Sequence, residues 1–440
     1  MKTTVRERNI WSLLVWAWLL AFPAHATENA APGALRLVIV LSRHGVRSPT
    51  TAPARLDAYS RDAWPAWPVP PGYLTPHGKQ LMAIMGHWYR AHYAQAGLLP
   101  ADGCVASALS VVADDEQRTI ESAHGMMDGF DPHCPVTIQV APRKGADALF
   151  AHDFSSASAI SRDQAQAAVL GRIGGDAARM ALANAGLIEQ MESVLMDCAP
   201  GHCDASKAPG KKWLMDQPAS VTPGQGDELL GIKSPLHNAS SLAEDMYLEY
   251  VEGMPMAKVA WGRVSPPQLG HLLALHSIYA DTSLRTPIVA RAYAGHLAQR
   301  LLATLQEAAG SKDQQAMGSP KAKIVFLLGH DTQIETLAGL LDLHWLLPEP
   351  PADPASVGGA LVFELRRHGS SDRYDVRAYY VSQSMDQLRN GMELDAAHPP
   401  QIAPIFIPGC STSAPGYDCP LGRFATTITQ ALPAAEPVQQ

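Results

Sequence analysis

The sequence has little that would fit it to nucleic acid or to a bilayer. Its 34 lysines and arginines are outnumbered by 42 aspartates and glutamates, so there is no basic excess to neutralise a phosphate backbone. Beyond residue 26 no apolar stretch approaches the roughly 20 residues that a spanning helix needs. Gly-rich nucleotide loops, internal repeats and Cys-x-x-Cys pairs are all absent, and histidines such as His87 and His92 lack metal-ligand spacing. Neither a cofactor, a metal nor a nucleic-acid partner is expected.

What is present begins with a leader. Lys2, Arg6 and Arg8 precede an apolar core from Ile10 to Phe22, and Ala24-His25-Ala26 is a small-x-small cleavage site, the layout of a secretory signal peptide. Residues 1–26 are therefore expected to be removed, with an uncleaved anchor as the alternative. Losing three basic residues and Glu7 moves the formal charge from −8 to −10. A periplasmic or secreted protein, free of the membrane after cleavage, is expected. Its six cysteines fall as neighbours, Cys104 with Cys134, Cys198 with Cys203 and Cys410 with Cys419. An even count behind a leader favours disulfides over a zinc site, and local pairing is the simplest connectivity.

The pattern along the chain is α/β, interrupted. Leu37 to Leu41 is a short, continuously apolar run, as in a strand buried on both faces. A second strand is expected near 106–112 and a third near 136–140. Lys323 to Leu328 repeats the first, with paired strands near 361–365 and 374–381. Thr75-Pro76 reads as a helix N-cap and first position. From about 155 to 282 alanine-rich helical patterns take over, with long helices expected at 163–185, 242–250 and 267–279. The expected architecture is a central, mostly parallel sheet flanked by helices (27–154 and 283–440) with an inserted helical lobe (155–282).

Parallel sheets place ligands beyond the carboxyl ends of their strands, and three such ends here are polar. The first carries Arg43, His44 and Arg47, the second runs through Asp114 and Asp115 to Arg118, and the third carries Gly329, His330 and Asp331. Arginine forks suit the oxygens of a phosphomonoester. An imidazole can attack phosphorus to form a phosphohistidine, and a carboxyl group can protonate the leaving oxygen. Arg118 could instead be a solvated helix residue paired with Asp114 or Asp115.

These residues resemble the histidine acid phosphatases, the larger secreted branch of the histidine phosphatase superfamily, which includes bacterial phytases and glucose-1-phosphatases. Residues 43–50 match the RHGxRxPT signature in full, Gly329 to Thr332 match the HD motif, and Asp114 to Thr119 match the segment that supplies a third arginine. The likeness extends through Asp62 to Pro65, Glu252 to Pro255, Trp261 to Arg263 and the Cys410/Cys419 loop. It implies a phosphoglycerate-mutase-like sheet with the site between two lobes and no metal. It also implies His44 as nucleophile, Asp331 as proton donor, and Arg43, Arg47, Arg118 and His330 as the phosphate clamp.

The small phosphorylated substrate is less sharply indicated. Enteric-type phytases carry a lysine directly after the signature, whereas this chain has Thr51-Ala52-Pro53. Glu249 to Pro255 is closer to the glucose-1-phosphatase version. Phytate is the leading expectation and glucose 1-phosphate, or a broad range of sugar phosphates, the alternative. Thr50, Thr51, Asp245 and Thr332 are the positions expected to shape the rest of the pocket, with a solvated helix carboxylate as the other reading of Asp245. A binding protein that holds phosphorylated ligands without cleaving them would keep the arginines but has no need of both His44 and Asp331.

Overall fold

The computed structural model describes residues 1–2, 33–143, 149–150, 160–226, 228–312, 314–369 and 371–432. Most of the expected leader, the expected boundary near 155 and the chain beyond 432 lie outside these residues.

A central sheet runs through the molecule. Its strands are β1 (Ala34–Arg43), β2 (Leu109–Ala113), β3 (Ile138–Val140), β6 (Ile324–Gly329), β7 (Ala360–Arg367), β8 (Tyr374–Ser382), β9 (Gln401–Ile405) and β10 (Cys419–Pro420). A separate hairpin pairs β4 (Ser220–Pro223) with β5 (Leu230–Lys233). The order is β10-β8-β7-β1-β6-β2-β3, with β9 also pairing β8. The ladders β1–β6, β6–β2 and β2–β3 are parallel. The strands on the other side of β1, from β7 outward, join antiparallel. The parallel half carries the expected ligand edge.

The continuous apolar runs have a direct cause. In β1, Val38 and Val40 enter one hydrophobic core while Leu37, Ile39 and Leu41 enter a second on the opposite face. In β6, Ile324, Phe326 and Leu328 join the first core and Val325 and Leu327 the second. Successive side chains point to opposite faces, so a strand covered on both must be apolar throughout. Among the described residues, no helix is long and apolar enough to cross a membrane.

Helices on both faces set the loops. Thr75 caps Pro76–Gln95 by accepting from Gly78 N–H, with Pro76 in the first turn. A Cβ on Gly78 would lie 2.2 Å from the Val46 carbonyl oxygen, so glycine lets the helix start press against the loop after β1. Gln117–Phe130 and Asp331–Leu341 follow β2 and β6. Between Arg162 and Thr282 the described residues are mainly helical, but the expected single helix over 163–185 is broken. Arg162–Arg172, Ala178–Leu182 and Ala185–Met196 replace it; the first break falls at Gly174 and Gly175, which both adopt positive φ, a conformation that no helix continues through. The 267–279 helix likewise divides into Pro266–Leu272 and Ala274–Thr282. The β4–β5 hairpin was not expected there. All three cysteine pairs are disulfides with the expected local partners.

Candidate active site

Register brings the three strand ends together. Arg43 of β1 sits beside Gly329 of β6, and Leu328 beside Ala113 of β2. His44 N–H donates to Gly329 O at 2.9 Å and Asp114 N–H to Leu328 O at 3.0 Å. The chain therefore leaves all three strands at one edge, and Arg43, His44, Arg47, Asp114, Arg118, His330 and Asp331 converge there.

His44 is 2% exposed. Its Nδ1 lies 2.8 Å from the Gly45 carbonyl oxygen; a carbonyl only accepts, so the proton is on Nδ1 and the lone pair on Nε2. Burial, then Arg43 and Arg47, hold its pKa well below the ordinary histidine value, because a second cation is disfavoured beside guanidinium groups. The imidazole is neutral and oriented. The His330 ring stands edge-on to it with centroids 5.5 Å apart. His330 donates from Nε2 to Asp114 Oδ2 at 2.7 Å. That leaves its Nδ1 as acceptor toward the Arg118 guanidinium at 3.5 Å. Arg118 pairs with Glu116 at 3.1 Å, not with Asp114 or Asp115. Those two are engaged by His330 and Arg143.

Arg43 donates to Ala355 O at 2.6 Å, pairs with Asp331 at 3.0 Å and bonds Glu244. Arg47 meets the other oxygen of Glu244 at 3.1 Å. The Nε–H groups of Arg43, Arg47 and Arg118 are buried without an acceptor, which is donor capacity that an oxyanion could use. Burial pushes Glu244 up, but Arg43 and Arg47 outweigh it and hold the carboxyl down at about 2. Asp331 is likewise held well below the usual carboxylate range, with Arg43 and His276 overcoming burial. It opens the helix Asp331–Leu341 and accepts from Thr332 N–H. Negative charge is favoured at such an end.

Glu244 and His276 were not foreseen. His276 Nε2 lies 3.5 Å from Asp331 Oδ2 and its Nδ1 is 3.2 Å from Ser240 Oγ. Glu244, His276 and Asp331 offer atoms within 4.8 Å of one another, but the positive charge between the two carboxylates is the Arg43 guanidinium, which bonds both. Asp245, expected as a pocket or solvated residue, is 5% exposed and therefore not solvated. Burial pushes it up to about 8 even though Arg47 is near. Thr332 is half-buried at the helix start and Thr50 is exposed. Thr51 lines a separate apolar cavity of about 210 Å³ with Trp64 and Trp67. Trp64 is buried against Trp261, ring centroids 5.1 Å apart, and anchors its loop.

Comparison with known proteins identifies the family. The histidine phosphatase superfamily (branch 2) matches residues 34–193 and 237–381. The phytase AppA of Escherichia coli (strain K12) is 31% identical over 410 residues, covering 91% of this chain and 93% of its own. A glucose-1-phosphatase of Salmonella typhimurium is 29% identical over 421 residues, covering 94% and 97%. The Hafnia alvei phytase solved with tartrate superposes with a TM-score of 0.79 at 32% identity, covering 92% and 98%. Since the family match takes in all the strand ends that build the site, and these relatives align along nearly the whole chain, the protein belongs to the histidine phosphatase superfamily, branch 2.

Proposed function

We propose that the protein is an exported acid phosphatase that hydrolyses phosphomonoesters, phytate foremost, through a phosphohistidine on His44. The observation that carries this reading is the state of His44: a buried, neutral imidazole with its Nε2 lone pair free, ringed by Arg43, Arg47, Arg118 and His330. Arginine forks hold the phosphoryl oxygens and His44 Nε2 attacks phosphorus in line. Asp331 protonates the departing ester oxygen and then takes a proton from the water that hydrolyses the phosphoenzyme. The α/β part (27–154 and 283–440) supplies this chemistry and the helical insertion (155–282) supplies Glu244 and His276. The leader layout and three disulfides support export.

A second reading, glucose 1-phosphate as the preferred substrate, is favoured by Thr51 after the signature and by the glucose-1-phosphatase relatives. Mature protein assayed in mildly acidic buffer tests both. Phosphate release from p-nitrophenyl phosphate, with kcat/KM higher for phytate than for glucose 1-phosphate, is expected. The reverse preference moves the assignment to the second reading. Full activity in His44→Ala, or none in the unaltered protein, rejects both.

A further inference from the structure

Asp331 presents a difficulty as a general acid: its surroundings keep it ionised in the free protein, with Arg43 at 3.0 Å and His276 at 3.5 Å. An acid must arrive protonated, and the source of that proton is the question. We propose that His276 is a positioning residue for the acid–base step, handing its Nε2 proton to Asp331 when a phosphate dianion docks on Arg43 and Arg47 and taking it back after the phosphoenzyme is hydrolysed. The inference rests on Asp331 being the proton donor, as proposed above.

The geometry supports it from every side. His276 Nε2 faces Asp331 Oδ2, while Nδ1 is held by Ser240 Oγ at 3.2 Å. Once Nε2 gives up its proton, the remaining Nδ1–H donates to that hydroxyl, so Ser240 selects which proton is labile. The charged groups facing the ring are Glu244 from Pro235–Val251, Asp331 and Glu335 from Asp331–Leu341, and Arg43 from β1. Burial works against the imidazolium, yet Glu244 and Asp331 outweigh it and hold His276 above the ordinary histidine value. A proton is therefore stored beside Asp331 across the acidic range.

The dianion triggers the transfer by Coulomb's law. It engages Arg43, whose charge helps keep Asp331 ionised, and adds negative charge beside the carboxylate, so its proton affinity rises. The Nε2–H bond breaks with its electron pair left on nitrogen, and an O–H bond forms at Oδ2. That proton passes to the ester oxygen as the P–O bond breaks. In the second half, water forms a bond to phosphorus as the His44–phosphorus bond breaks. Its proton goes to Asp331 and on to His276, which restores the starting state.

A structural role for His276 would lower turnover of every substrate alike, whereas a proton store matters only where the leaving group needs a proton. The test compares His276→Gln with the unaltered protein on p-nitrophenyl phosphate and on glycerol 2-phosphate, across pH 3–8. We expect kcat on glycerol 2-phosphate to fall by about 10–100-fold and on p-nitrophenyl phosphate by less than about threefold. The alkaline limb of the glycerol 2-phosphate profile should move to lower pH, because Asp331, still held down by Arg43, must then take its proton from solvent. On the same substrate, His276→Gln added to Asp331→Asn should cause no further loss. Equal falls for both substrates, an unmoved alkaline limb, or additive losses in the double variant would overturn the inference. If the unaltered protein hydrolyses neither ester, or His44→Ala remains active, the underlying reading fails instead.

Discussion

Two clusters of the same four residue types share the helix Asp331–Leu341. One joins Arg43, Glu244, Asp331 and His276 at the sheet edge; the other joins Arg285, Glu335, Asp353 and His344. Both arginines are buried. Arg285 is tied down within the protein: Nε bonds Glu335 at 2.5 Å and Nη1 reaches Leu343 O at 3.0 Å and Asp353 at 3.2 Å, while Nη2 is buried without an acceptor. Asp353 also accepts from Trp345 N–H and contacts His344 Nδ1, each at 2.6 Å, and His344 is largely in solvent. Those charges fasten a loop. The Arg43 cluster likewise shares its guanidinium between two carboxylates and leaves a buried N–H without an acceptor, but it lies beside the His44 ring at the sheet edge. Residue type does not distinguish a catalytic cluster from a clasp. Position at converging strand ends does.

The contrast can be broken most severely at His44. His44→Ala should lower kcat by about 10⁴-fold or more, measured as phosphate release by protein with an unchanged circular dichroism spectrum. Next in size, Asp331→Asn should cost about 10²–10⁴-fold on alkyl phosphates and less on p-nitrophenyl phosphate, which loses only the help to water attack because its leaving group needs no proton; steady-state rates on the two esters decide this.

How much of this could be read from the chain alone follows the same division. Arg43, His44 and Arg47 lie within five residues after a run whose apolar continuity marks a buried strand, and Gly329-His330-Asp331 repeats the pattern. Motif and strand end coincide there, so both the fold and the convergence of these residues at one edge were legible. Glu244 and His276 are single residues on helices whose apolar neighbours speak only of packing, and their approach to Arg43 is wholly tertiary. The sequence reading fell on Asp245, one residue along. At 3.6 residues per turn that is a rotation of about 100°, enough to exchange the Arg43–Arg47 bridge for a buried, largely neutral position. The β4–β5 strands, four residues each, are too short to show alternation, and the helix breaks at Gly174-Gly175 were outweighed by the alanines around them.

Arg285→Met sharpens the comparison from the other side. Breaking one partner of a buried ion pair costs about 3–5 kcal/mol, so its urea midpoint should fall clearly while specific activity of the folded fraction stays within about twofold. A loss of turnover comparable with that of an Arg43 variant would erase the distinction between the clusters.

The smallest expected effect concerns acid stability. Burial raises Glu249 to about 8 despite the Ala260 N–H that it accepts, whereas the unfolded chain ionises in the ordinary carboxylate range. Its contribution to stability is therefore full below that range and is lost as pH rises toward about 8. Glu249→Gln removes this dependence. The fall of Tm between pH 5 and 8 should become shallower by a few degrees, on the order of 1 kcal/mol of stability, as read by thermal melts. An unchanged slope would contradict the assignment.

The central claim is that His44 carries the phosphoryl group. Mature protein mixed with ³²P-labelled substrate in mildly acidic buffer, quenched within milliseconds and digested, should yield label on the peptide containing His44, stable to alkali and lost in acid. Label on any other residue, or burst-free turnover with no labelled protein at any quench time, would contradict it.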